Sequence, residues 1–203
     1  MNQFAAHAVP PAALDALADA LHADPFYAAL TPEANAHPDA WRELLRAYFA
    51  VAFEEADAFG KIEYALPARA GAAIWLLPQT RATAAHLQQN KNAALEKILT
   101  PRGFENYRAI IETMTPHAER IVPHNAWYLS ILGIAPHLQN QGIGAKLLAP
   151  TLAQADAQRV PCFLETFSAR TIRFYERASF RVVAQHAEKI TSSDYWIMVR
   201  DAR

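Results

Sequence analysis

Cysteine is almost absent from this chain of 203 residues, since Cys162 is the only one. A single cysteine excludes an internal disulfide, and it excludes the zinc sites that several cysteines build. The eight histidines are scattered, and none shows the spacing of a histidine pair or a histidine–glutamate pair on one metal. We therefore predict no bound metal, and we expect Cys162 to be a small buried hydrophobic side chain rather than a nucleophile.

An excess of one charge and long apolar runs are also missing. Lysine and arginine number 19 against 20 acidic residues, so the net charge is −1, and no basic field favours nucleic acid or a membrane surface. No stretch reaches the ~18 apolar residues of a membrane span, and residues 1–4 do not resemble a secretory signal. We expect a soluble, cytoplasmic protein with no nucleic-acid or membrane partner. Its excess of arginine over lysine and its abundant alanine are typical of a GC-rich bacterial genome.

The spacing of the apolar residues predicts a helix-rich first half followed by a mixed sheet. In the first half, we expect helices over residues 10–24, 39–59, 80–99 and 101–114. We expect strands over residues 62–66 and 72–77. The last of these helices is expected to end at Thr115-Pro116, because proline breaks a helix. Later elements are predicted as strands at 127–134, 162–167, 180–184 and 195–199, with helices at 142–159 and 169–178. This order predicts one α/β domain with a mixed sheet.

The most informative segment is Gln139-Asn-Gln-Gly142-Ile-Gly144, between a predicted buried strand and a predicted helix. Its glycines let a ligand approach the backbone, and the amide groups at the helix start attract an anion such as a diphosphate. The helix lacks the lysine and serine of a P-loop, and the third glycine of the dinucleotide fingerprint is missing. The segment therefore predicts an anion site that serves neither Walker-type hydrolysis nor a dinucleotide.

Three further segments stand in order around this turn. They are Trp127-Tyr-Leu-Ser-Ile-Leu-Gly-Ile-Ala-Pro136 before it, and Leu164-Glu-Thr166 and Phe174-Tyr-Glu-Arg-Ala-Ser-Phe180 after it. The four motifs together resemble the GNAT superfamily of acetyl-CoA-dependent N-acetyltransferases, and within it the small-molecule branch typified by puromycin N-acetyltransferase. The resemblance is strong over residues 126–180 and thin before residue 123.

The resemblance implies a GNAT-like α/β fold, with a central twisted mixed β-sheet of about six to seven strands and helices on both faces. It implies a single acetyltransferase domain over residues 1–203. Residues 1–123 would supply the acceptor-side helices and the first strands, and residues 124–203 would form the acetyl-CoA-binding core.

The resemblance also implies direct transfer of an acetyl group from acetyl-CoA, the co-substrate, to an amine, with no acyl-enzyme. Tyr175 would be the general acid that protonates the departing thiolate, since that developing anion needs a donor within hydrogen-bond reach. The cofactor-binding residues implied are Leu132, Gly133 and Ile134 on the strand, Gln139, Asn140, Gln141, Gly142, Ile143, Gly144 and Ala145 at the turn, and Ser168 and Tyr175.

Two positions depart from the family pattern. Ser168 stands where asparagine is common, and its hydroxyl group can still form a hydrogen bond to the pantetheine arm. Ser179 stands where the family usually has glycine. We therefore expect Ser179 to take a left-handed conformation, at a cost of about 1 kcal/mol.

The general base stays open at this point. Glu165, on the strand beside the cofactor, is one candidate catalytic residue. His124, before the central strand, and Glu63, on an earlier strand, are others. A chain of water molecules with no dedicated base is favoured as much as any single residue.

The candidate acceptor residues are mainly aromatic and nearly neutral: Phe26, Tyr27, Trp75, Phe104, Tyr107 and residues 186–194. Such a lining favours a small, partly apolar amine over a polycation, while Tyr48 is expected to belong to the core. Two alternatives keep the same fold, namely a non-catalytic acyl-CoA-binding sensor and a peptide or protein N-acetyltransferase. A homodimer is also left open.

Overall fold

The computed structural model describes residues 9–33 and 38–203. Residues 1–4, on which the expectation about a secretory signal depends, lie outside these ranges. The α-helices of the described ranges are α1 (Pro11–Leu21), α2 (Pro25–Leu30), α3 (Pro38–Phe59), α4 (Arg81–Ile98), α5 (Pro101–Ile121), α6 (Ile143–Ala157) and α7 (Ala169–Arg177). None of the helices in these ranges combines the length and the apolar character needed to cross a membrane.

One mixed sheet of six strands occupies the centre of the described chain. The strands are β1 (Gly60–Tyr64), β2 (Gly71–Leu76), β3 (Trp127–Ile134), β4 (Cys162–Thr166), β5 (Arg181–Glu188) and β6 (Ser193–Arg200). Their order is β1-β2-β3-β4-β6-β5, and every neighbouring pair is antiparallel except β3 and β4, which are parallel. The predicted mixed sheet with helices on both faces is therefore confirmed.

Strand β2 is buried on both faces, and it divides the core into two parts. Ala72 and Ile74 pack under the helices of the first half, whereas Ala73 and Trp75 pack with residues of α6 and α7. This division follows from the alternation of side chains along a strand. Trp75 is fully buried in the second part, so the structure removes it from the candidate acceptor residues.

The first half differs from the sequence prediction at two helices. The expected end of α5 at Thr115-Pro116 is wrong, because α5 continues through Pro116 to Ile121. Proline removes the hydrogen bond to the carbonyl group of Glu112, but both residues are exposed, so water can satisfy that carbonyl group. The sequence prediction also missed α2, although Asp24 caps it by accepting a hydrogen bond from the Phe26 amide at 2.9 Å.

The parallel pair β3 and β4 separates after a short stretch of pairing. Only three residues of each strand are in register, ending at Leu129 opposite Leu164. Strand β3 nevertheless continues to Ile134, still paired with β2 on its other side. The sheet is therefore open between β3 and β4 beyond this point.

The turn after α7 holds the expected left-handed residue. Ser179 has a φ of 70°, and its amide donates to the carbonyl group of Glu176 at 2.8 Å. The next amide, that of Phe180, donates to the carbonyl group of Tyr175 at 3.1 Å. This helix ending turns the Phe180 ring back towards Tyr175, where the ring centroids lie 6.1 Å apart.

Candidate active site

A cavity of about 370 Å³ lies where β3 and β4 separate. Helices from both faces of the sheet line it, namely α3, α4 and α5 on one face and α7 on the other. Aromatic side chains form much of the wall: Phe26, Tyr27, Tyr48, Tyr107, Tyr128 and Phe167. A cavity of this size and lining is typical of a small-molecule site.

Glu165 lies in this cavity as a buried carboxyl group. Its Oε2 accepts a hydrogen bond from the Tyr128 hydroxyl at 3.2 Å, and its buried Oε1 has no hydrogen-bond partner among the described residues. Burial raises the pKa of Glu165 from 4.5 to about 7, and the hydrogen bond from Tyr128 only partly offsets this. Glu165 can therefore gain or lose a proton near neutral pH.

Tyr175 lines the same cavity from α7. Its ring is 9% exposed and packs edge-on against Phe174, with centroids 5.1 Å apart. Burial, and then the negative charge of Asp24, raise the pKa of Tyr175 well above its ordinary value. The phenol therefore stays protonated at neutral pH, as a proton donor must.

The other candidate bases lie elsewhere. His124 is exposed in the turn before β3. Glu63 on β1 accepts a hydrogen bond from the Thr151 hydroxyl of α6 at 3.3 Å. Neither residue belongs to the described lining of the cavity, so of the three titratable candidates only Glu165 shares a space with Tyr175.

The predicted acceptor residues are only partly brought together. Phe26, Tyr27 and Tyr107 line the cavity, whereas Phe104 and residues 186–194 do not belong to its described lining. Phe104 instead packs against the outside of the core. Tyr48 is buried as expected, but it also lines the cavity.

The cavity is more charged than the sequence suggests. Its lining includes three carboxyl groups, of Asp24, Glu55 and Glu165, and one ammonium group, of Lys91. Burial raises the pKa of Asp24 to about 6, although the backbone amide of Phe26 partly opposes the shift. The expectation of a nearly neutral lining is therefore wrong. Glu55 and Lys91 are 36 residues apart on different helices, and no sequence signal connects them.

The predicted anion site lies at the start of α6. Gly142 precedes the helix with a φ of 76°, and no side chain caps it, so the first amides of α6 have no partner within the helix. A Cβ atom added at Gly142 would meet nothing within 4 Å. Gln139 and Gln141 donate instead to the carbonyl groups of Ile134 and His137, at 3.0 and 3.2 Å. The site is therefore built from backbone amides, which suit a phosphate group.

At two of the predicted cofactor-binding glycines, the packing of neighbouring elements also requires the absence of a side chain. A Cβ atom on Gly133 would lie 2.6 Å from Leu17 Cδ2, and one on Gly144 would lie 3.0 Å from Phe174 Cζ. Gly133 thus lets α1 approach β3, and Gly144 lets α7 approach α6. A substitution at Gly144 would disturb this packing, whereas Gly142 faces open space.

Other predicted cofactor-binding residues lie around the cavity and the start of α6. Leu132 and Ser168 line the cavity, and Ile134 packs beside the second part of the core with Ile143. Ser168 precedes α7, and its hydroxyl group does not cap that helix. It is therefore available to a ligand.

An isosteric pair of substitutions at Gly142 tests the anion site. Asparagine tolerates a positive φ, so Gly142→Asn should bind CoA almost as the wild type does. Gly142→Asp has the same shape but adds a negative charge beside the amides. We expect its dissociation constant for CoA to be about tenfold higher than that of Gly142→Asn at low salt, measured by calorimetric titration. Equal affinities of the two variants would contradict a phosphate at this turn.

Cys162 is the first residue of β4, is buried, and does not belong to the described cavity lining. Burial raises the pKa of its thiol to about 12, so it stays protonated and unreactive at neutral pH. Within residues 9–33 and 38–203, no three histidine, cysteine, aspartate or glutamate side chains come together as metal ligands do. The expectation that the protein binds no metal stays a prediction.

Comparison with known proteins finds a family similarity over part of the chain and a shared fold. Residues 101–180 match the model of the acetyltransferase (GNAT) family. A Corynebacterium glutamicum structure described as a histone acetyltransferase and related acetyltransferase shares 19% identity and a TM-score of 0.57, over 95% of this chain and 91% of its own. A Pyrococcus horikoshii structure shares 13% identity and a TM-score of 0.52, over 96% and 94% of the two chains. The matched segment contains the Gly142 turn and Tyr175, so this part of the chain is similar to the acetyltransferases of the GNAT family, and the two structures share the fold of nearly the whole chain.

Proposed function

We propose that the protein transfers the acetyl group of acetyl-CoA directly to the amine of a small molecule. The observation that carries this proposal is one cavity, at the opening between β3 and β4, that contains both a carboxyl group titrating near neutral pH and a buried phenol. These are Glu165 and Tyr175. A base and an acid facing one space can together catalyse amine acetylation.

Three features support binding of acetyl-CoA. The uncapped amides at the start of α6 would hold the diphosphate. The edge of β3 beyond Leu129, which has no β4 partner, would offer backbone groups to the pantetheine arm, and the Ser168 hydroxyl would add a further hydrogen bond. We propose that residues 124–203 form this side and that residues 1–123 supply most of the acceptor side.

The chain's own groups would then move two protons. Acetyl-CoA supplies an acetyl group already activated as a thioester. The bound ammonium group first releases one proton to water, and the neutral amine then attacks the acetyl carbon. Glu165 accepts the second proton, which the nitrogen loses as the nitrogen–carbon bond forms. Tyr175 donates a proton to the sulfur as the carbon–sulfur bond breaks. Because its pKa is raised to about 7, Glu165 is deprotonated in part at neutral pH and is basic enough to accept that proton.

The cavity lining favours a small cationic amine with an apolar body. Aromatic rings surround the space, and its three carboxyl groups outnumber the single ammonium group, so a protonated amine is attracted before it loses its proton. A sensor would need neither the titrating carboxyl group nor the phenol. The protein acceptor named for the Corynebacterium structure belongs to a chain 19% identical to this one, and at that identity the acceptor is not carried over.

A thiol-release assay with acetyl-CoA over a panel of small amines and lysine-rich peptides tests the proposal. We expect a small amine with an aromatic body to be the best acceptor. Salt between about 50 and 200 mM should change its KM little, because the acceptor groups are buried and weakly screened. A lysine-rich peptide as best acceptor with strong salt dependence would contradict the small-molecule proposal. Tight acetyl-CoA binding with no turnover on any acceptor would favour the sensor.

A further inference from the structure

The cavity contains an ion pair that the proposed chemistry does not use. Lys91 Nζ on α4 lies 2.7 Å from Glu55 Oε2 on α3, and the two side chains are only 13% and 16% exposed. Both residues line the cavity. A buried ion pair adds little net stability to a fold, because both ions lose their hydration. Its position in the lining suggests a role in binding instead.

The surroundings of this pair are polar and aromatic. Gln88, one turn before Lys91 on α4, donates a hydrogen bond to the Tyr107 hydroxyl at 3.1 Å. Burial acts to lower the pKa of Lys91, but its interactions with Tyr48 and with the Glu55 carboxylate outweigh this effect, and the net shift is upward. Lys91 is therefore an ammonium group at neutral pH.

Tyr128 connects this part of the cavity with the proposed base. Its hydroxyl donates to Glu165 Oε2 at 3.2 Å. Tyr128, Glu165, Glu55 and Lys91 all line the one cavity. A ligand with its amine at Glu165 therefore shares this space with the ion pair.

The pair still has hydrogen-bonding capacity. Among the described residues, Lys91 Nζ and the Glu55 carboxylate form side-chain hydrogen bonds only with each other. An ammonium group has three donors and a carboxylate has about four acceptor positions, so the pair can offer a ligand both a donor and an acceptor. A ligand carboxylate would be repelled by Glu55, and a second ligand ammonium would be repelled by Lys91. A neutral group that both donates and accepts satisfies the pair.

We infer that the Lys91–Glu55 pair determines acceptor specificity by binding a hydroxyl group on the end of the acceptor remote from its amine. This inference rests on the proposed function, since it places the amine at Glu165. The aromatic walls and the hydroxyl-binding end together favour a phenol-bearing amine. A hydrogen bond to a charged group should increase kcat/KM for the hydroxylated amine about tenfold or more over the analogue without the hydroxyl.

Two probes that differ by one hydroxyl group test this inference, 4-hydroxyphenethylamine and phenethylamine. The wild type should prefer the hydroxylated probe at least tenfold in kcat/KM, mainly through KM. The double variant Glu55→Leu with Lys91→Met removes both charges together, so that no buried charge is left unpaired. We expect its preference to fall below about threefold. The matched control, Arg108→Met with Glu112→Leu, removes an exposed ion pair of α5 and should keep the full preference.

A single substitution supplies a second test, which applies even where the double variant fails to fold. Glu55→Gln keeps the shape of the side chain but leaves the Lys91 charge without a counterion. The variant should therefore gain affinity for 4-(2-aminoethyl)benzoate, whose carboxylate the wild type repels, by about tenfold relative to phenethylamine.

The outcomes separate this inference from the proposed function. Acetylation of both phenethylamines at equal kcat/KM, or a double variant that keeps the preference, would overturn the inference while small-amine acetylation stands. No acetylation of any amine would overturn the proposed function. In that case, calorimetric titration of the hydroxylated probe in the presence of CoA still decides the inference. Equal affinities of the wild type and the Glu55→Gln variant for both the hydroxylated and the carboxylated probe would overturn it.

Discussion

Replacement of Glu165 by glutamine is expected to lower kcat/KM for acetyl transfer by about 10²- to 10³-fold, the range of a lost general base. The amide has nearly the same shape, and it can still accept the hydrogen bond that the Tyr128 hydroxyl donates to Glu165 at 3.2 Å. It cannot accept the amine proton. In the wild type, kcat/KM should rise with pH through about 7, where Glu165 loses its proton, and this limb should be missing in the variant.

The same substitution should stabilise the fold at alkaline pH. The pKa of Glu165 is raised from 4.5 to about 7 in the folded protein, so the folded state holds a proton that the unfolded state has lost. Stability of the wild type therefore falls as the pH rises from about 4.5 to 7, by about 3 kcal/mol in total. Urea unfolding should show Glu165→Gln to be more stable than the wild type at pH 8 by about that amount, and nearly equal to it at pH 4.5.

A matched control is Glu119→Gln, which makes the same change at an exposed position of α5. Neither activity nor the pH dependence of unfolding should change in this control. If Glu165→Gln kept full activity and the wild-type pH profile, the proton would leave the amine through water, as the alternative without a dedicated base holds. The stability difference at pH 8 would still report on the buried carboxyl group.

Tyr175→Phe should lower kcat about 10²-fold, because only the oxygen atom that protonates the thiolate is removed. The ring keeps its contacts with Phe174 and Phe180, so the free energy of unfolding should change little. Affinity for CoA, measured by calorimetry, should also stay within about threefold of the wild type, since the proposed diphosphate site at α6 is untouched.

Tyr64→Phe provides the control for this prediction. Tyr64 stacks on Phe53 with ring centroids 5.8 Å apart, and it does not belong to the described cavity lining. Loss of its hydroxyl should leave turnover unchanged. Undiminished turnover of Tyr175→Phe on a good acceptor would show that Tyr175 is only a core tyrosine.

Local patterns in the sequence were sufficient to predict two backbone features of the proposed cofactor side. The turn at Gly142 could be predicted because glycine readily takes the positive φ that a tight turn from a strand into a helix uses. The left-handed conformation of Ser179 could be expected because serine stands, just after a helix, where the family that the sequence resembles usually has glycine. Each of these features depends on a few neighbouring residues, so the sequence is enough to find it.

The acceptor side was decided by tertiary structure. In the sequence, nothing distinguishes Glu55 and Lys91 from other charged residues of helices. The packing of α3 against α4 brings Lys91 Nζ to 2.7 Å from Glu55 Oε2. The sequence does not decide whether Trp75 lies in the core or in the cavity. The position of Trp75 on β2, paired between β1 and β3, places its side chain in the buried core.

The sequence by itself determined the order of the elements except α2, the glycine turn before α6 that is proposed to bind the diphosphate, and the presence of a tyrosine at the proposed acid position. Only the tertiary structure decided that Glu165 shares a cavity with Tyr175, and that its pKa lies near 7. The physical reason is that the pKa of a carboxyl group depends on its desolvation and on its partners. The Tyr128 hydroxyl that contacts Glu165 comes from a position 37 residues earlier in the chain, and no local pattern encodes a contact across that distance.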